Sequence, residues 1–358
     1  MSKNLSSKKN VLILIIAIIV SLPVFITGCG KKDSTASLPG ASSKKVVDEI
    51  KADSDGLIPI TTWTKTDCGS TVWVVADAKG FFKKYGLKSV YTGVTQSTVQ
   101  IPSILKGDNV VGDFHPNTYA VAIAGKANLI GIGAKGIDPA ANINPSLRHM
   151  WWFVSKKSGI KTFKQLIDYK KGKKLKFTTG AQNICTDFLG NSIADKYGLP
   201  RDRIEWVTMP DVQAIQSLTQ GLVDVAAVHP PYYKGMVNAG NTKIADSLDA
   251  NLGPTAGLTE WVVNTDWAKK NPNTTKKFLQ AALEAQIWSN HNPKEAADLT
   301  AKHIGQPVSG NHYYNEALAI PNDKYLQPWI DGLVTNGTLE KGQIKVSDLV
   351  TDIYYKSK

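Results

Sequence analysis

Two stretches of this chain read alike. One is Val110-Val111-Gly112-Asp113-Phe114-His115-Pro116, the other Val223-Asp224-Val225-Ala226-Ala227-Val228-His229-Pro230. Each is a short apolar run that ends in His-Pro. Each follows a glycine placed to stop a helix, Gly107 or Gly221, and each leads into a segment whose proline suits the first turn of a helix. Apolar runs alternating with helical patterns are the grammar of parallel βαβ units. The echo therefore restricts the chain to two α/β halves of related build. Each half delivers a histidine to the carboxyl end of a strand, where open α/β sheets bind their ligands.

The rest of the pattern agrees. Strands are expected at 58–63, 89–94, 110–113, 129–133, 151–155, 174–179, 204–208 and 223–228. Helices are expected at 71–85, 97–106, from Pro116, and at 162–169, 183–197 and 211–220, the last capped by Asp211. Beyond Asn264 the pattern is almost all helical, over 274–288, 294–303 and 323–335. A chain of 358 residues exceeds what one core usually serves, so two lobes are expected.

The N-terminus has its own grammar. Lys3, Lys8 and Lys9 precede an apolar run from Val11 to Val20 that continues through Leu22 to Ile26. Ser21 and Pro23 interrupt it, so it reads as a secretory signal and not a spanning helix. Ile26-Thr27-Gly28-Cys29 resembles the lipobox of bacterial lipoproteins, which implies cleavage after residue 28 and acylation of Cys29. Residues 29–55, rich in Lys, Ser, Ala, Asp and Gly, read as a lipidated cysteine and flexible tether. The expected location is extracytoplasmic, on a bacterial membrane surface.

Net charge is +12, of which the signal carries three lysines and no acids. The lysines are scattered (Lys83, Lys84, Lys156, Lys157, Lys170, Lys171, Lys173, Lys174), and no arginine-rich helix or aromatic–basic motif points to nucleic acid. A solvated basic surface beside anionic lipid is the reading. Of three cysteines, Cys68 and Cys185 remain once Cys29 is set aside, and sequence alone leaves their pairing open.

Five segments in order resemble the solute-binding proteins of nitrate/sulfonate/taurine-type ABC importers, a group that also includes binders of thiamine-pyrimidine precursors. They are Val75-Ala76-Asp77-Ala78-Lys79-Gly80-Phe81-Phe82-Lys83-Lys84-Tyr85-Gly86-Leu87, Ser103-Ile104-Leu105-Lys106-Gly107-Asp108, Gly159-Ile160-Lys161-Thr162-Phe163-Lys164-Gln165-Leu166, Leu218-Thr219-Gln220-Gly221-Leu222-Val223-Asp224, and Asn271-Pro272 leading into a helix through Trp288 with Asn292-Pro293 after it. The resemblance covers about 58–352. It implies an α/β, type II periplasmic-binding-protein fold, with two lobes around a ligand cleft and two hinge crossings. Lobe one would take 57–150 plus 257–358, and lobe two 151–256. It implies a monomeric carrier without a cofactor and not an enzyme, handing a small organic solute, sulfonate-like or heteroaromatic, to a membrane permease.

The cleft residues follow from that fold. The loop Cys68-Gly69-Ser70-Thr71 would face Gly180-Ala181-Gln182 and Cys185-Thr186, both opening helices whose free N–H groups suit an anion. Asp67 or Ser70 would cap the first. His115 and His229 join them. Trp63 and one of Trp151 or Trp152 are candidates to stack on a ligand, with core packing as the alternative for each. Asp113 and Glu260 would meet a cationic group and disfavour a simple inorganic anion, or else cap a helix and face solvent. Of His149, His291, His303 and His312, three are expected to be surface or core residues, with His149, at a crossing, undecided. The set Cys68, His115, Cys185 and His229 leaves three further readings open: a metal or metal-complex site, a Cys–His nucleophile pair, and a cross-cleft disulfide.

Overall fold

The computed structural model describes residues 49–65, 68–140, 142–308, 310–319 and 322–355. The signal (1–28), Cys29, the tether as far as 48, Asp67 and the side chain of Cys68 lie outside the described residues.

Among the described residues there are ten strands: β1 Ile58–Thr62, β2 Leu87–Tyr91, β3 Val111–Phe114, β4 Leu129–Gly136, β5 Trp151–Val154, β6 Leu175–Thr179, β7 Ile204–Thr208, β8 Val225–Val228, β9 Thr242–Asp246 and β10 Thr259–Asn264. The helices of the first part are α1 Thr71–Ala78, α2 Phe81–Lys84, α3 Ser97–Lys106 and α4 Pro116–Ala124. Then come α5 Cys185–Tyr197, α6 Asp211–Gln220 and α7 Tyr233–Asn238. The C-terminal part holds α8 Thr265–Lys270, α9 Pro272–His291, α10 Pro293–Ile304, α11 Asn322–Tyr325, α12 Gln327–Thr335 and α13 Val346–Leu349.

The strands form three sheets, ordered β1-β2, β3-β10-β4 and β7-β6-β8-β5-β9. The expected parallel pairing holds for β1 with β2 and for β6 with β7 and β8. It does not hold for β10, which runs antiparallel between β3 and β4, nor for β5, antiparallel to β8 and β9. β9 and β10 have no counterpart in the sequence reading. β10 returns from far down the chain to fill the centre of a sheet. That placement buries Trp261 on one face and Glu260 on the other, and a strand buried on both faces has no clean alternation to detect.

Other differences are local. The expected helix 71–85 is two helices, because Gly80 takes φ 74°, a left-handed value that ends α1 and starts α2. The segment 162–169 contains a tighter 3₁₀ turn at Phe163–Ile167. Asp211 is not the cap of α6: Pro210 takes that position, leaving the Asp211 carboxylate for another partner.

The core has two main parts. Trp73, Phe82, Trp261 and Phe278 pack under the three-stranded sheet, with ring centroids 5.1–6.2 Å apart. A second cluster is continuous from Trp63 and Phe114, through Tyr119 and Trp329, to Trp152, Phe177 and Phe188. It joins the material around the three-stranded sheet to the five-stranded sheet. Two connections run side by side between these sheets. Asp138 N donates to Pro254 O at 2.8 Å and Gly136 N to Thr259 Oγ1 at 2.9 Å.

Candidate functional site

Both His-Pro motifs behave as the sequence predicts. Proline after a residue bars helical backbone at that residue. His115 accordingly sits at φ −70°, ψ 151° and His229 at φ −89°, ψ 167°, each directly after a strand. The same turn that ends β3 and β8 therefore sends an imidazole away from each sheet. Cys185 is the first residue of α5, where the helix dipole favours negative charge.

These three residues meet, and two more histidines join them. His149 lies in the connection between β4 and β5, fixed by its own N–H donating to Asp138 Oδ1 at 2.6 Å. His312 lies between α10 and α11. The His149 ring is 4.4 Å from that of His115, 4.8 Å from His312 and 5.1 Å from His229, centroid to centroid. His149 Nδ1 and His312 Nδ1 are 3.3 Å apart, and Cys185 Sγ is 3.8 Å from His229 Nε2. One ligating atom each from His115, His149 and Cys185 lie within 4.8 Å of one another. His115 Nδ1 and His149 Nε2 are buried with no hydrogen-bond partner among the described residues.

Asp211 supplies the outer support. Its Oδ2 accepts from the His229 backbone N–H at 2.9 Å and pairs with His229 Nδ1 at 2.7 Å, which turns Nε2 toward Cys185. Cys185 is a free thiol and 5% exposed. Burial pushes the thiol up, but His115 and His229 outweigh it and hold it down at about 6. His149 and His312 are driven well below the usual histidine value by burial and by neighbouring histidines, and are neutral near pH 7.

The other sequence candidates are distributed as follows. Asp113 is held by Lys135 Nζ at 2.5 Å and by Lys65, both lysines buried and the Asp113 side chain 8% exposed, so its charge is matched within the fold. Lys135 also donates to Gly69 O at 2.9 Å. Glu260 is fully buried, and burial raises its carboxyl to about 8, so at neutral pH it is protonated. The expectation that two carboxylates repel an anion therefore loses its basis. Trp63 is buried against Phe114, and Lys65 sits over its ring. Gly112 makes room for it, since a Cβ there would come within 2.6 Å of the indole. Trp152 is wholly enclosed, and Trp151 stacks on Tyr233 at 4.1 Å. Ser70 precedes α1 without a side-chain cap bond, and Thr71 Oγ1 bonds to Thr300 Oγ1 at 2.8 Å. Thr186 is buried, Ala181 half-buried, and Gly180 and Gln182 exposed. Asn183 O in this loop accepts from Asn117 Nδ2 of α4 at 3.2 Å, a link between the two sheet systems.

Sequence reasoning missed three contributors. The sequence pattern places His312 with surface and core histidines and Asp211 at a helix cap, and gives no sign of Asp138. Only Asp211 carried a signal: a proline before an acid at a helix start takes the cap and frees the carboxylate. Of the remaining histidines, His291 is exposed beside Glu316, and His303 packs on Tyr91 at 5.2 Å.

Residues 58–305, more than two thirds of the chain, match the model of the NMT1-like family. The chain belongs to that family. Among relatives of this NMT1-like protein, the nitrate/nitrite binding protein NrtA of Synechococcus elongatus is 26% identical over 314 residues, covering 78% of this chain and 66% of that one. A binding protein of Brucella abortus (strain 2308) is 22% identical over 311 residues, 81% of this chain and 89% of that one. Among solved structures, the periplasmic aliphatic sulphonate binding protein SsuA of Escherichia coli superposes with a TM-score of 0.64 at 18% identity, covering 85% of this chain and 95% of that one. The α/β fold of this NMT1-like chain is thus that of periplasmic solute-binding proteins.

Proposed function

We propose that this protein is the extracytoplasmic, lipid-anchored solute-binding component of an ABC importer. In this reading, residues around β1–β4 and β10 form one lobe and β5–β9 the other, and the paired connections 136–138 and 254–259 are the hinge. One observation carries it. His115 from one sheet system, Cys185 and His229 from the other, and His149 from a connection converge on a single buried point. A site assembled from both lobes exists only when they are together, so a solute bound there favours the closed state by its differential affinity. Trp329 supports the same junction. Its ring lies 5.5 Å from His115 and 4.7 Å from Phe188 of α5, and its Nε1 donates to Thr255 Oγ1 at 2.8 Å.

The relatives NrtA and SsuA carry nitrate/nitrite and aliphatic sulphonate in their names. A small organic solute, sulfonate-like or heteroaromatic, is the expectation brought from sequence. The matched charge of Asp113 and the protonated state of Glu260 are compatible with it. A thermal-shift screen of the full chain in detergent, against nitrate, alkanesulfonates, pyrimidines and divalent cations, tests the carrier reading. One solute class should raise the melting temperature and be recovered chemically unchanged. Failure of every class to stabilise the chain would contradict it.

A second reading has its own observation. Cys185, His229 and Asp211 stand in the order nucleophile, base and orienting carboxylate, as in a thiol hydrolase. Conversion of a stabilising solute, abolished by Cys185→Ser, would favour that reading over carriage.

A further inference from the structure

The chemistry of the convergent side chains is narrower than the carrier reading requires. Four imidazoles and one thiol meet in a space a few ångströms across, and a carboxylate backs one of them from outside. An organic solute site is ordinarily an apolar concavity with a few polar groups. Here soft and borderline donors face one another instead. Nitrogen and thiolate ligands at about 2.0–2.3 Å from a tetrahedral ion lie roughly 3.3–3.6 Å from one another. The 3.8 Å between Cys185 Sγ and His229 Nε2 is close to that edge, whereas the 3.3 Å contact with His312 is made by His149 Nδ1, the nitrogen opposite the open Nε2. The 4.8 Å spread of the His115, His149 and Cys185 donors needs a contraction of about 1 Å to reach it.

Two of the ring nitrogens are buried without a partner, His115 Nδ1 and His149 Nε2. Buried nitrogens normally find a hydrogen bond, so a pair left open within one cluster points to an acceptor of their lone pairs. The contact of His229 with Asp211 has the form of the outer-shell carboxylate that orients a metal-binding imidazole. A surface concavity of about 730 Å³ between α12 and the 341–347 segment is lined by none of the five cluster residues.

Resting on the carrier reading above, we propose that the solute is a first-row transition-metal ion of the zinc, nickel, cobalt or copper class, held by Cys185, His115 and His149 with His229 as fourth ligand. Cys185 would bind as thiolate, its proton passing to solvent, and the imidazoles as neutral donors. Ligands of this softness select against magnesium and calcium, which require oxygen donors.

The test uses the full chain in detergent, stripped with chelator and dialysed, with Co(II) as a chromophoric probe and Zn(II) for stoichiometry. One ion per chain is expected, with visible bands of tetrahedral Co(II) and a sulfur-to-cobalt charge-transfer band in the near ultraviolet. Cys185→Ser should abolish the charge-transfer band, and His149→Gln should weaken Zn(II) binding by about 10–100-fold or more. His291→Ala, on the exposed end of α9, should change neither. Near-ultraviolet circular dichroism checks that each variant is folded, and the His149→Gln comparison stands if Cys185→Ser is not. Absence of tight Zn(II) binding, or equal binding by Cys185→Ser and His149→Gln, overturns the proposal. If instead a sulfonate or nitrate stabilises the chain, the carrier reading survives and the metal proposal alone fails. If a metal binds through Cys185 while the chain does not compact in solution, the metal site stands and carriage fails.

Discussion

At the scale of single residues, burial and pairing decide what each charged group can do. Asp113 sits between the buried Lys65 and Lys135, so removing the carboxylate strands two ammonium groups in a low-dielectric interior. Asp113→Asn should destabilise the chain by about 3–5 kcal/mol in urea unfolding. Glu260 acts in the opposite sense, with burial raising its carboxyl from 4.5 to about 8. Between those values the unfolded chain has released a proton that the folded chain keeps. Stability therefore falls as pH rises across the window, by up to about 1.4 kcal/mol per pH unit. Glu260→Gln should flatten that slope in unfolding measured from pH 5 to 8. A smaller slope of the same sign should persist, because burial also raises Asp138 to about 7.

At the scale of elements, close approaches hold the helices that frame the site. α12 packs on α5 where Gly332 faces Phe188, and a Cβ on Gly332 would come within 2.4 Å of that ring. Gly332→Ala should cost about 1–3 kcal/mol of stability and move Trp329, readable in thermal unfolding and tryptophan emission. Most elements were legible in the sequence because local signals specify them: glycines at helix ends, prolines at first turns, and alternating runs at strands. β10 was not, because its identity comes from the slot between β3 and β4 that only the folded chain creates. The same division holds for the site. The two His-Pro motifs announced His115 and His229 through a local rule of proline stereochemistry. His149 and His312 sit in connections without a repeating pattern, and only tertiary packing brings their rings to 4.8 Å.

At the scale of the whole molecule, two α/β sheet systems are joined by two adjacent connections, and soft donors from both meet between them. Among the described residues no helix is long and apolar enough to cross a membrane. Attachment through Cys29 is part of the proposal, and loss of membrane retention in a Cys29→Ala variant would support it. The central claim is that the donors come together as the halves close on a solute. The most direct measurement is the radius of gyration in small-angle X-ray scattering of the chain, stripped and then with one equivalent of Zn(II), for wild type and for Cys185→Ser. The account predicts a decrease on adding zinc to the wild type and no decrease in the variant. An unchanged radius in the wild type at saturating zinc, or the same decrease in both, would contradict it.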